Sequence, residues 1–394
     1  MLDSRLSIRD LWSLDSTVTF LNHGSFGACP KQVLEFQQRL RSQLEHEPLR
    51  FFGREWEPLL DDARSKLAAF VDADVQDLVF VPNATTGVNS VLRSLTFSPE
   101  DEILTTNHEY NACRNALDFI ASRTGARVVV AKLPFPIDSP QQVIAAVIER
   151  VSPKTRLALL DHVTSQTGLI FPIQELAKDL QQRGVDTLVD GAHAPGMIPL
   201  DLREIGATYY SGNCHKWLCA PKGAAFLYVR RDKQSEIRPL TISHGTNSPR
   251  TDKSRFQLEF DWTGTDDPTA YMCVPEAIAF MGSLLPGGWT ELRQQNHQLV
   301  LQGRRLLCEA LEVQPLCPEE MIGSMAVVPM PTTLENRDFM SVHDELFDKF
   351  GIQVQVMPWQ EQPRLLVRIS AQIYNTLEQY EYLVKALLKL LKNR

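Results

Sequence analysis

The fold is decided by the stretch from 185 to 229, which reads VDTLVDGAHAPGMIPLDLREIGATYYSGNCHKWLCAPKGAAFLYV. Its two ends, VDTLVD and AAFLYV, are short apolar runs of the length and composition typical of buried strands. Asp190 ends the first run, and Lys216 lies 26 residues later, which leaves room for one more strand between them. Ligands of open α/β sheets bind beyond the carboxyl ends of the strands, so we expect functional side chains at these two positions.

The same alternation extends back to about residue 78. Amphipathic segments typical of helices separate the apolar runs, and one of them ends at Gly184, a common helix stop. This order predicts an α/β domain with a mostly parallel sheet flanked by helices. The other apolar runs lie at 77–81, 102–106, 127–132 and 156–163, and the helix-like segments at 87–95, 111–123, 139–151 and 172–184.

From about residue 270 the pattern changes and predicts a smaller α+β domain. A helical stretch at 285–312 is followed by strand-like runs at 325–330 and 364–370 and by an amphipathic helix at about 376–392, with the run IQVQVMP (352–358) between the strand-like runs. A chain of 394 residues exceeds the size at which a single core stops growing. We therefore predict a large domain over 18–264 and a small domain formed by 1–17 and 265–394.

The composition excludes several classes of protein. The net charge is −8, from 40 basic and 48 acidic residues, which gives no reason to expect nucleic-acid binding. No apolar run is long enough to span a bilayer, and the charged N-terminus is not a secretory signal. The seven cysteines are scattered and form no CxxC pair. Reduced thiols in a cytoplasmic protein, with no membrane or nucleic-acid partner, are the simplest interpretation.

Lys216 and Asp190 have the chemistry that a pyridoxal-phosphate (PLP) site needs. A lysine amine forms Schiff bases with carbonyls, and a carboxylate opposite the pyridine nitrogen keeps the PLP ring an electron sink. His193 follows Asp190 by three residues and is placed to reach the phenolic oxygen or the ring face. Each residue also has a structural interpretation: Lys216 as a solvated charge, Asp190 as a buried turn cap and His193 as a core residue.

Two further segments match the phosphate of PLP and the carboxylate of a substrate. VPNATTGVNSVL (81–92) predicts a strand end followed by a helix N-terminus, where Thr85, Thr86 and the Gly87 amide are placed to bind phosphate. The alternative is an ordinary helix cap. Arg368 lies in the strand-like LLVRIS and is suited to hold a carboxylate bidentately, unless it forms a structural salt bridge. Two weaker candidates are Tyr110, which is placed to stack on the ring, and Thr265, which is placed to donate to the phosphate.

In combination, these segments resemble the class V aminotransferase-like PLP enzymes of fold type I. The sequence is most similar to the isopenicillin N epimerase-like branch, with cysteine desulfurases and cysteine/cystine C–S lyases as relatives. The resemblance runs from LNHGSFG (21–27) to the Arg368 segment, and it implies a large domain with a mostly parallel sheet and a smaller α+β C-terminal domain. The motifs that carry it are NATTG (83–87), HVTSQTG (162–168), DGAHAPG (190–196), NCHKW (213–217) and WTGTDDPTAY (262–271).

The resemblance implies a role for each matching residue. It makes Lys216 the Schiff-base lysine, Asp190 the partner of the pyridine nitrogen and His193 a donor to the phenolic oxygen. It assigns Thr265 to the active site of a neighbouring subunit, which implies a homodimer with shared sites. The remaining implied contacts are Thr85, Thr86, Asn213 and His215 to the phosphate, Tyr110 on the ring, Ser165 near the ring, Arg368 to the substrate carboxylate, and Asn22 and His23 on the substrate side.

The sequence leaves the reaction open after removal of the α-proton by Lys216. We expect epimerase-like chemistry on an amino acid or small peptide, with β-elimination by a C–S lyase or transamination as alternatives. A cysteine desulfurase is disfavoured, because the stretch FGIQVQVMPWQEQPRLL (350–366) lacks the nucleophilic cysteine that those enzymes carry before the carboxylate arginine. In EPLRFFGREWEP (47–58), Arg50 and Arg54 are candidates for a second substrate carboxylate, and a packed aromatic loop is the alternative.

Two other classes of function are also possible. A metal-dependent hydrolase would use Asp190, His193 and His215, although DxxH is not a recognised ligand pattern and a lysine beside a metal is awkward. A non-catalytic binding protein that has kept the fold is the second, since a fold alone does not secure activity. The intact set of Lys216, Asp190 and Arg368 argues against it.

Overall fold

The computed structural model describes residues 7–331, 337–359 and 364–392, and its centre is a sheet of seven strands. The strand order is β2-β8-β7-β6-β5-β3-β4, and only β8 runs antiparallel to its neighbours. Most of these strands are buried along their whole length, as expected for a sheet with helices on both faces. The strands are β2 (Leu78–Val81), β3 (Glu102–Thr106), β4 (Arg127–Ala131), β5 (Thr155–Asp161), β6 (Asp186–Asp190), β7 (Tyr209–Asn213) and β8 (Ala225–Val229).

Helices cover both faces of this sheet, and two separate apolar clusters pack against it. The strand predicted between Asp190 and Lys216 is β7, and the helix predicted to stop at Gly184 ends at Gln182, with Gly184 in the left-handed region at φ 76°. The helices up to the last strand of the sheet are α1 (His23–Phe26), α2 (Lys31–His46), α3 (Pro48–Arg50), α4 (Trp56–Phe70), α5 (Ala84–Ser94), α6 (Asn111–Thr124), α7 (Pro140–Glu149), α8 (Ile173–Gln182) and α9 (Leu202–Ile205).

The C-terminal part of the chain builds a second, smaller sheet with its own helices. Its strands are ordered β11-β12-β9 and are all antiparallel, so the predicted α+β character is confirmed. The run IQVQVMP forms two strands, because Val354 separates β10 from β11. The remaining elements are α10 (Arg255–Asp261), α11 (Thr269–Met272), α12 (Val274–Ser283), α13 (Gly288–Leu311), β9 (Met325–Pro329), α14 (Phe339–Phe350), β10 (Ile352–Gln353), β11 (Gln355–Pro358), β12 (Leu365–Ser370) and α15 (Leu377–Lys392). Two of them lie outside the smaller sheet: α10 packs against β2 of the central sheet, and β10 pairs with a short strand near the N-terminus.

The N-terminal segment joins the two parts of the chain. A short strand, β1 (Thr19–Phe20), pairs in parallel with β10. The Leu21 carbonyl also accepts a hydrogen bond of 2.9 Å from the Ser370 amide, at the end of β12. Residues directly after β1 are therefore held beside the carboxyl end of the strand that contains Arg368. The domain limits at 18 and 264 stay a prediction, and residues 1–6 of the predicted small domain lie outside the described residues.

Candidate active site

A cavity of about 370 Å³ opens at the carboxyl ends of the central strands. It lies where the sequence predicted the site, because β5, β6 and β7 all end at its wall. Fourteen residues line the cavity. The lining is Ser25, Phe26, Asn83, Ala84, Thr85, Tyr110, Asp161, Ser165, Asp190, Ala192, His193, Asn213, His215 and Lys216.

Of these fourteen residues, eight were predicted from the sequence and six were not. Ser25 and Phe26 come from a segment whose position relative to the sheet no local pattern reveals. Asn83, Ala84 and Ala192 adjoin predicted residues, and Asp161 ends the predicted strand β5 directly before the motif HVTSQTG. Their nearness to the predicted motifs was the one signal in the sequence that pointed to them. The six are Ser25, Phe26, Asn83, Ala84, Asp161 and Ala192.

Lys216 lies in the loop after β7, with its amine inside the cavity. Its Nζ is 3.1 Å from His193 Nε2, while Trp217 Nε1 donates to His193 Nδ1 over 3.3 Å. An indole N–H is only a donor, so Nδ1 accepts and the neutral His193 ring carries its proton on Nε2. Burial lowers the pKa of Lys216 to about 8, against the opposing effect of Asp190, and burial also holds the pKa of His193 well below its usual range. Lys216 is thus poised to act as a neutral amine.

Asp190 lies at the end of β6 and is fixed by two donors. Its Oδ1 accepts from the Ala192 amide over 2.9 Å, and its Oδ2 accepts from Cys113 Sγ over 3.1 Å. Both bonds favour the ionised carboxylate. A buried anion at this wall of the cavity is what a protonated ring nitrogen requires.

The N-terminus of α5 forms another wall of the cavity. Asn83 caps this helix by accepting from the Thr86 amide over 2.8 Å, and the Ala84 amide donates to Asn213 Oδ1 over 2.8 Å. Thr85 lines the cavity as predicted, together with Asn83 and Ala84. The helix N-terminus, with the Thr85 side chain beside it, is suited to an anion such as phosphate.

The structure does not bring Thr86 and Gly87 into the cavity. The Thr86 amide and hydroxyl both donate to Asn83 Oδ1, and the Gly87 amide donates to the Asn83 carbonyl over 3.2 Å. Gly87 is needed for packing, because a Cβ there would lie 2.1 Å from Ser211 Oγ on β7. The cap and the first helical turn therefore engage the donors of Thr86 and Gly87 that were predicted to bind phosphate, and Thr85 is the predicted phosphate residue of this segment that lines the cavity.

Arg368 is a buried cation beside the cavity. It is 3% exposed, and burial lowers the pKa of its guanidinium to about 10, with Tyr110 opposing that shift. Its Nη atoms donate to the Ser165 carbonyl, to Ser25 Oγ over 2.9 Å and to Asn22 Oδ1 over 3.3 Å, and its Nε is buried with no partner. Within the described part of the chain, Arg368 forms no ion pair, so the structural salt bridge considered above is not observed.

The two predicted residues of the N-terminal segment differ in position. Asn22 contacts Arg368 and so lies on the predicted substrate side. His23 is buried behind the cavity, where its Nδ1 lies 2.7 Å from the Tyr374 hydroxyl and its Nε2 lies 3.0 Å from the Lys216 carbonyl. His23 therefore supports the backbone of Lys216 instead of lining the cavity.

The rim of the cavity carries two exposed aromatic side chains. Phe26, at the end of α1, is 76% exposed, and Tyr110, directly before α6, is 40% exposed. Burial raises the pKa of Tyr110, so its hydroxyl keeps its proton at neutral pH. Tyr110 lines the cavity, and its role in stacking on the cofactor ring stays a prediction.

Thr265, Arg50 and Arg54 lie outside this cavity. Thr265 is exposed in the loop between α10 and α11, and Arg54 is exposed in the π-helical turn Phe51–Glu55. Arg50 pairs with Glu55 over 2.7 Å at the surface. None of the three contacts the cavity within one chain. The segment 47–58 was predicted as a loop, but it is helical, formed by α3, the π-helical turn and the start of α4, and its aromatic residues Phe52 and Trp56 pack against Trp262.

The residues proposed for a metal site do not form one. Both nitrogens of His193 are engaged, and His215 Nδ1 lies 2.9 Å from the Ala224 carbonyl. In the described ranges, the one group of three such donor atoms within 4.8 Å of one another is Glu109, Cys113 and Asp190. Burial raises the pKa of Cys113 well above its usual range, so this thiol stays protonated and is a poor metal ligand.

The residues present fit PLP. A buried amine, a buried carboxylate and a helix N-terminus line one cavity and match the aldehyde, the ring nitrogen and the phosphate of the cofactor. The guanidinium of Arg368, which has no anionic partner among the described residues, lies next to them and matches the carboxylate of an amino acid. Lys216, Asp190 and Thr85 would hold the cofactor in this arrangement.

Comparison with known proteins gives the family. Residues 28–383 match the model of the family described as Aminotransferase class-V. The chain is 34% identical over 389 residues to an isopenicillin N epimerase of Streptomyces clavuligerus, covering 95% of each protein. It is 32% identical over 412 residues to a putative L-cysteine desulfhydrase 1 of Oryza sativa subsp. japonica, covering 95% of this chain and 84% of that protein.

A solved structure shows the same fold. It is a C-DES mutant with glycine covalently linked to its PLP cofactor, and it matches with a TM-score of 0.80 and 22% identity over 97% of this chain and 99% of that one. The chain belongs to the class V aminotransferase family and has PLP fold type I. It is a PLP-dependent enzyme, so the predicted fold class and cofactor are confirmed. No helix within the described ranges is long and apolar enough to cross a membrane.

Proposed function

We propose that this enzyme removes the α-proton of an amino acid or small peptide and that the reaction is isopenicillin N epimerase-like. The observation that carries the proposal is Arg368, a buried guanidinium beside the cavity with no anionic partner among the described residues. Burying a cation without a counter-charge costs free energy unless a ligand supplies the opposite charge. The α-carboxylate of an amino acid supplies that charge in a planar, bidentate form.

Each residue of the cavity then has a separate task. Arg368 holds the substrate carboxylate and so orients the Cα–H bond relative to Lys216. Lys216 takes the α-proton on its Nζ as a general base, and the Nε2–H of His193 holds that amine in place. PLP, when bound, supplies an electron sink for the electron pair left at Cα. Asp190 provides the negative charge at the end of β6 that this sink needs.

Epimerisation requires that a proton return to the opposite face of Cα. Tyr110 is our candidate donor, because it lines the cavity, keeps its hydroxyl proton and interacts electrostatically with Arg368. The similarity to the Streptomyces epimerase over nearly the full length of both chains supports this reaction.

β-Elimination from cysteine or cystine is the second candidate. It needs one base, Lys216, and no acid on the other face, and the similarity to proteins named L-cysteine desulfhydrase supports it equally. All seven cysteines are buried, and none lines the cavity. The absence of a thiol from the cavity argues against persulfide formation on the enzyme.

Proton NMR in heavy water with the PLP-loaded enzyme distinguishes these reactions. A panel of amino acids and small peptides, with cysteine and cystine included, would be followed for loss of the α-proton signal and for new products. Exchange of the α-proton with accumulation of the opposite enantiomer supports epimerisation. Pyruvate formed from cysteine or cystine establishes β-elimination and contradicts the epimerase proposal, and keto acids that retain the substrate side chain indicate transamination.

The Arg368→Ala variant tests the observation on which the proposal rests. Loss of a charge-assisted, bidentate contact should weaken amino-acid binding by about tenfold to a hundredfold. Cofactor affinity should change by less than about threefold, since Arg368 contacts no residue of the α5 N-terminus. The Arg368→Lys variant keeps the charge and loses the planar fork, so its affinity for the amino acid should lie between those of wild type and Arg368→Ala. Equal losses of substrate and cofactor affinity would instead show a structural role.

A further inference from the structure

Three buried carboxyl groups lie close together beside the cavity, and two of them, Asp161 and Asp190, line it. Asp161 and Asp190 end the neighbouring strands β5 and β6 and are paired directly in the register of the sheet. Glu109 precedes α6, and its carboxylate lies within 4.8 Å of that of Asp190. All three are buried, and like charges at such distances in a buried site cannot all be ionised.

The hydrogen bonds show which of the three carries the charge. Both oxygens of Asp190 accept a hydrogen bond, from the Ala192 amide and from Cys113 Sγ. Glu109 Oε2 accepts from the Thr105 hydroxyl over 2.8 Å, while Glu109 Oε1 and Asp161 Oδ2 are buried without partners. Burial and the neighbouring carboxylates raise the pKa of both Asp161 and Glu109 well above the usual range. Asp190 is therefore the anion of the cluster.

Asp161 differs from Glu109 because its side chain lines the cavity. It is only 2% exposed, and its Oδ2 is buried without a hydrogen-bond partner. We propose that Asp161 is a positioning residue of the cofactor site, which holds a proton beside Asp190, leaves the single negative charge on Asp190 and donates its O–H into the cavity. A neutral carboxylic acid is a hydrogen-bond donor, whereas a carboxylate is not.

The other groups around the cluster agree with this distribution of charge. The Cys113 thiol faces it from α6 and the Tyr210 hydroxyl from β7, and burial raises the pKa of both well above their usual range, so neither adds a negative charge. Lys216 approaches from the loop after β7, and Arg114 on α6 is engaged with Asp118. The inference rests on the proposed function in assigning Asp190 and Lys216 to the cofactor.

Two substitutions of Asp161 test the proposal in the PLP-loaded enzyme. Asp161→Ala removes the donor and should weaken PLP binding by about tenfold, the effect of one hydrogen bond in a buried site. Asp161→Asn keeps a neutral donor of the same shape and should bring the PLP dissociation constant back to within about threefold of wild type. The infrared carbonyl band of a neutral carboxyl group should be present in wild type and lose intensity in Asp161→Asn.

An unchanged carbonyl band in Asp161→Asn would overturn the proposal, because it would mean that Asp161 carries no proton. Equal weakening of PLP binding by Asp161→Asn and Asp161→Ala would overturn it too. Asp190→Asn separates this failure from failure of the proposed function. If PLP affinity and the absorbance of the bound cofactor in Asp190→Asn are the same as in wild type, the assignment of Asp190 is wrong. A large effect of Asp190→Asn supports that assignment, independently of the results for the Asp161 variants.

Discussion

At the scale of single residues, the sequence identified functional candidates where a polar or charged residue stands at the carboxyl end of a predicted strand. Asp190 ends one buried strand and Lys216 follows another. Burying a charged group at such a position costs free energy unless a partner or a ligand compensates the charge. Asp161 also ends a strand, but it lies just outside the motifs that carry the family resemblance, so the sequence did not single it out. His23 was predicted on the substrate side, but its neighbours Tyr374 and the Lys216 carbonyl are distant in sequence, so no local pattern reveals that it faces away from the cavity.

Lys216→Ala should abolish covalent attachment of the cofactor and leave the fold intact. Lys216 is the one lysine among the described residues that line the cavity, so its removal leaves no amine in place there for the aldehyde. Borohydride reduction of the PLP-loaded protein followed by peptide mass analysis measures the attachment site. A reducible adduct at a single other lysine in the variant would contradict the assignment.

The buried amine of Lys216 should also make the stability of the cofactor-free protein depend on pH. Its pKa is lowered from 10.5 to about 8, so between these values the unfolded chain binds a proton that the folded chain does not. The free energy of unfolding should therefore rise with pH across this window, by about 3 kcal/mol. Below about pH 8 the folded protein bears the full cost of the buried charge.

Urea unfolding of wild type and Lys216→Met from pH 7 to 10.5 measures this contribution as a difference. The variant should be more stable at pH 7 by the same amount and should lack the rise. Lys132→Met is the matched control, because the exposed amine of Lys132 meets solvent in both states. A constant difference between wild type and Lys216→Met across the range would show that Lys216 is not buried as a neutral amine.

At the scale of elements, periodicity predicted the strands and helices of the large sheet and the helix N-terminus at α5. It did not show which acceptors the backbone amides in the first turn of that helix bind. The cap formed by Asn83 takes the Thr86 amide, and close packing on β7 explains the glycine at position 87. Sequence alone cannot separate a glycine required for phosphate from one required for packing, since both demand that no Cβ be present.

Gly87→Ala tests this reading of α5. The new Cβ would lie 2.1 Å from Ser211 Oγ and 2.9 Å from Ser211 Cβ, so the helix must move away from β7 at a cost of about 1–3 kcal/mol. Moving the helix displaces its N-terminus from the cavity, so PLP binding should weaken as well. Thermal unfolding and PLP titration measure the two effects, and Gly87→Ala combined with Ser211→Gly should recover both.

Gly53→Ala is the control for this substitution. A Cβ at Gly53 meets no atom within 4 Å, so the variant should retain wild-type stability and PLP affinity. If Gly87→Ala behaves like Gly53→Ala, packing does not explain the glycine.

At the scale of the whole molecule, the site is assembled from segments far apart in the chain. Arg368 meets Asn22 and Ser25 because β1 pairs with β10 and Leu21 bonds to Ser370. These contacts span 346 and 343 residues of sequence. The resemblance to a family suggested Asn22, and nothing in the sequence indicated Ser25. Thr265 is the extreme case, since it lies outside the cavity of its own chain and was assigned to that of a neighbouring subunit.

Subunit complementation tests the proposed homodimer and the position of Thr265 together. If Thr265 reaches the phosphate of the partner subunit, Thr265→Glu should expel the cofactor by charge repulsion, and Lys216→Ala should inactivate its own subunit. A mixed dimer of the two variants then contains one site with both native residues. Unfolding and refolding an equimolar mixture should restore about one quarter of the wild-type active sites, since half of the dimers are mixed and each has one native site.

Reducible PLP attachment and α-proton exchange, measured on the refolded mixture and on each variant refolded alone, provide the readout. Recovery only in the mixture establishes that Thr265 and Lys216 serve one site from different chains. If Thr265 acted within its own chain, every site in the mixed dimer would lack one native residue, and the mixture would stay as inactive as its components. Wild-type affinity for PLP in Thr265→Glu alone would show instead that Thr265 does not approach the phosphate of either subunit.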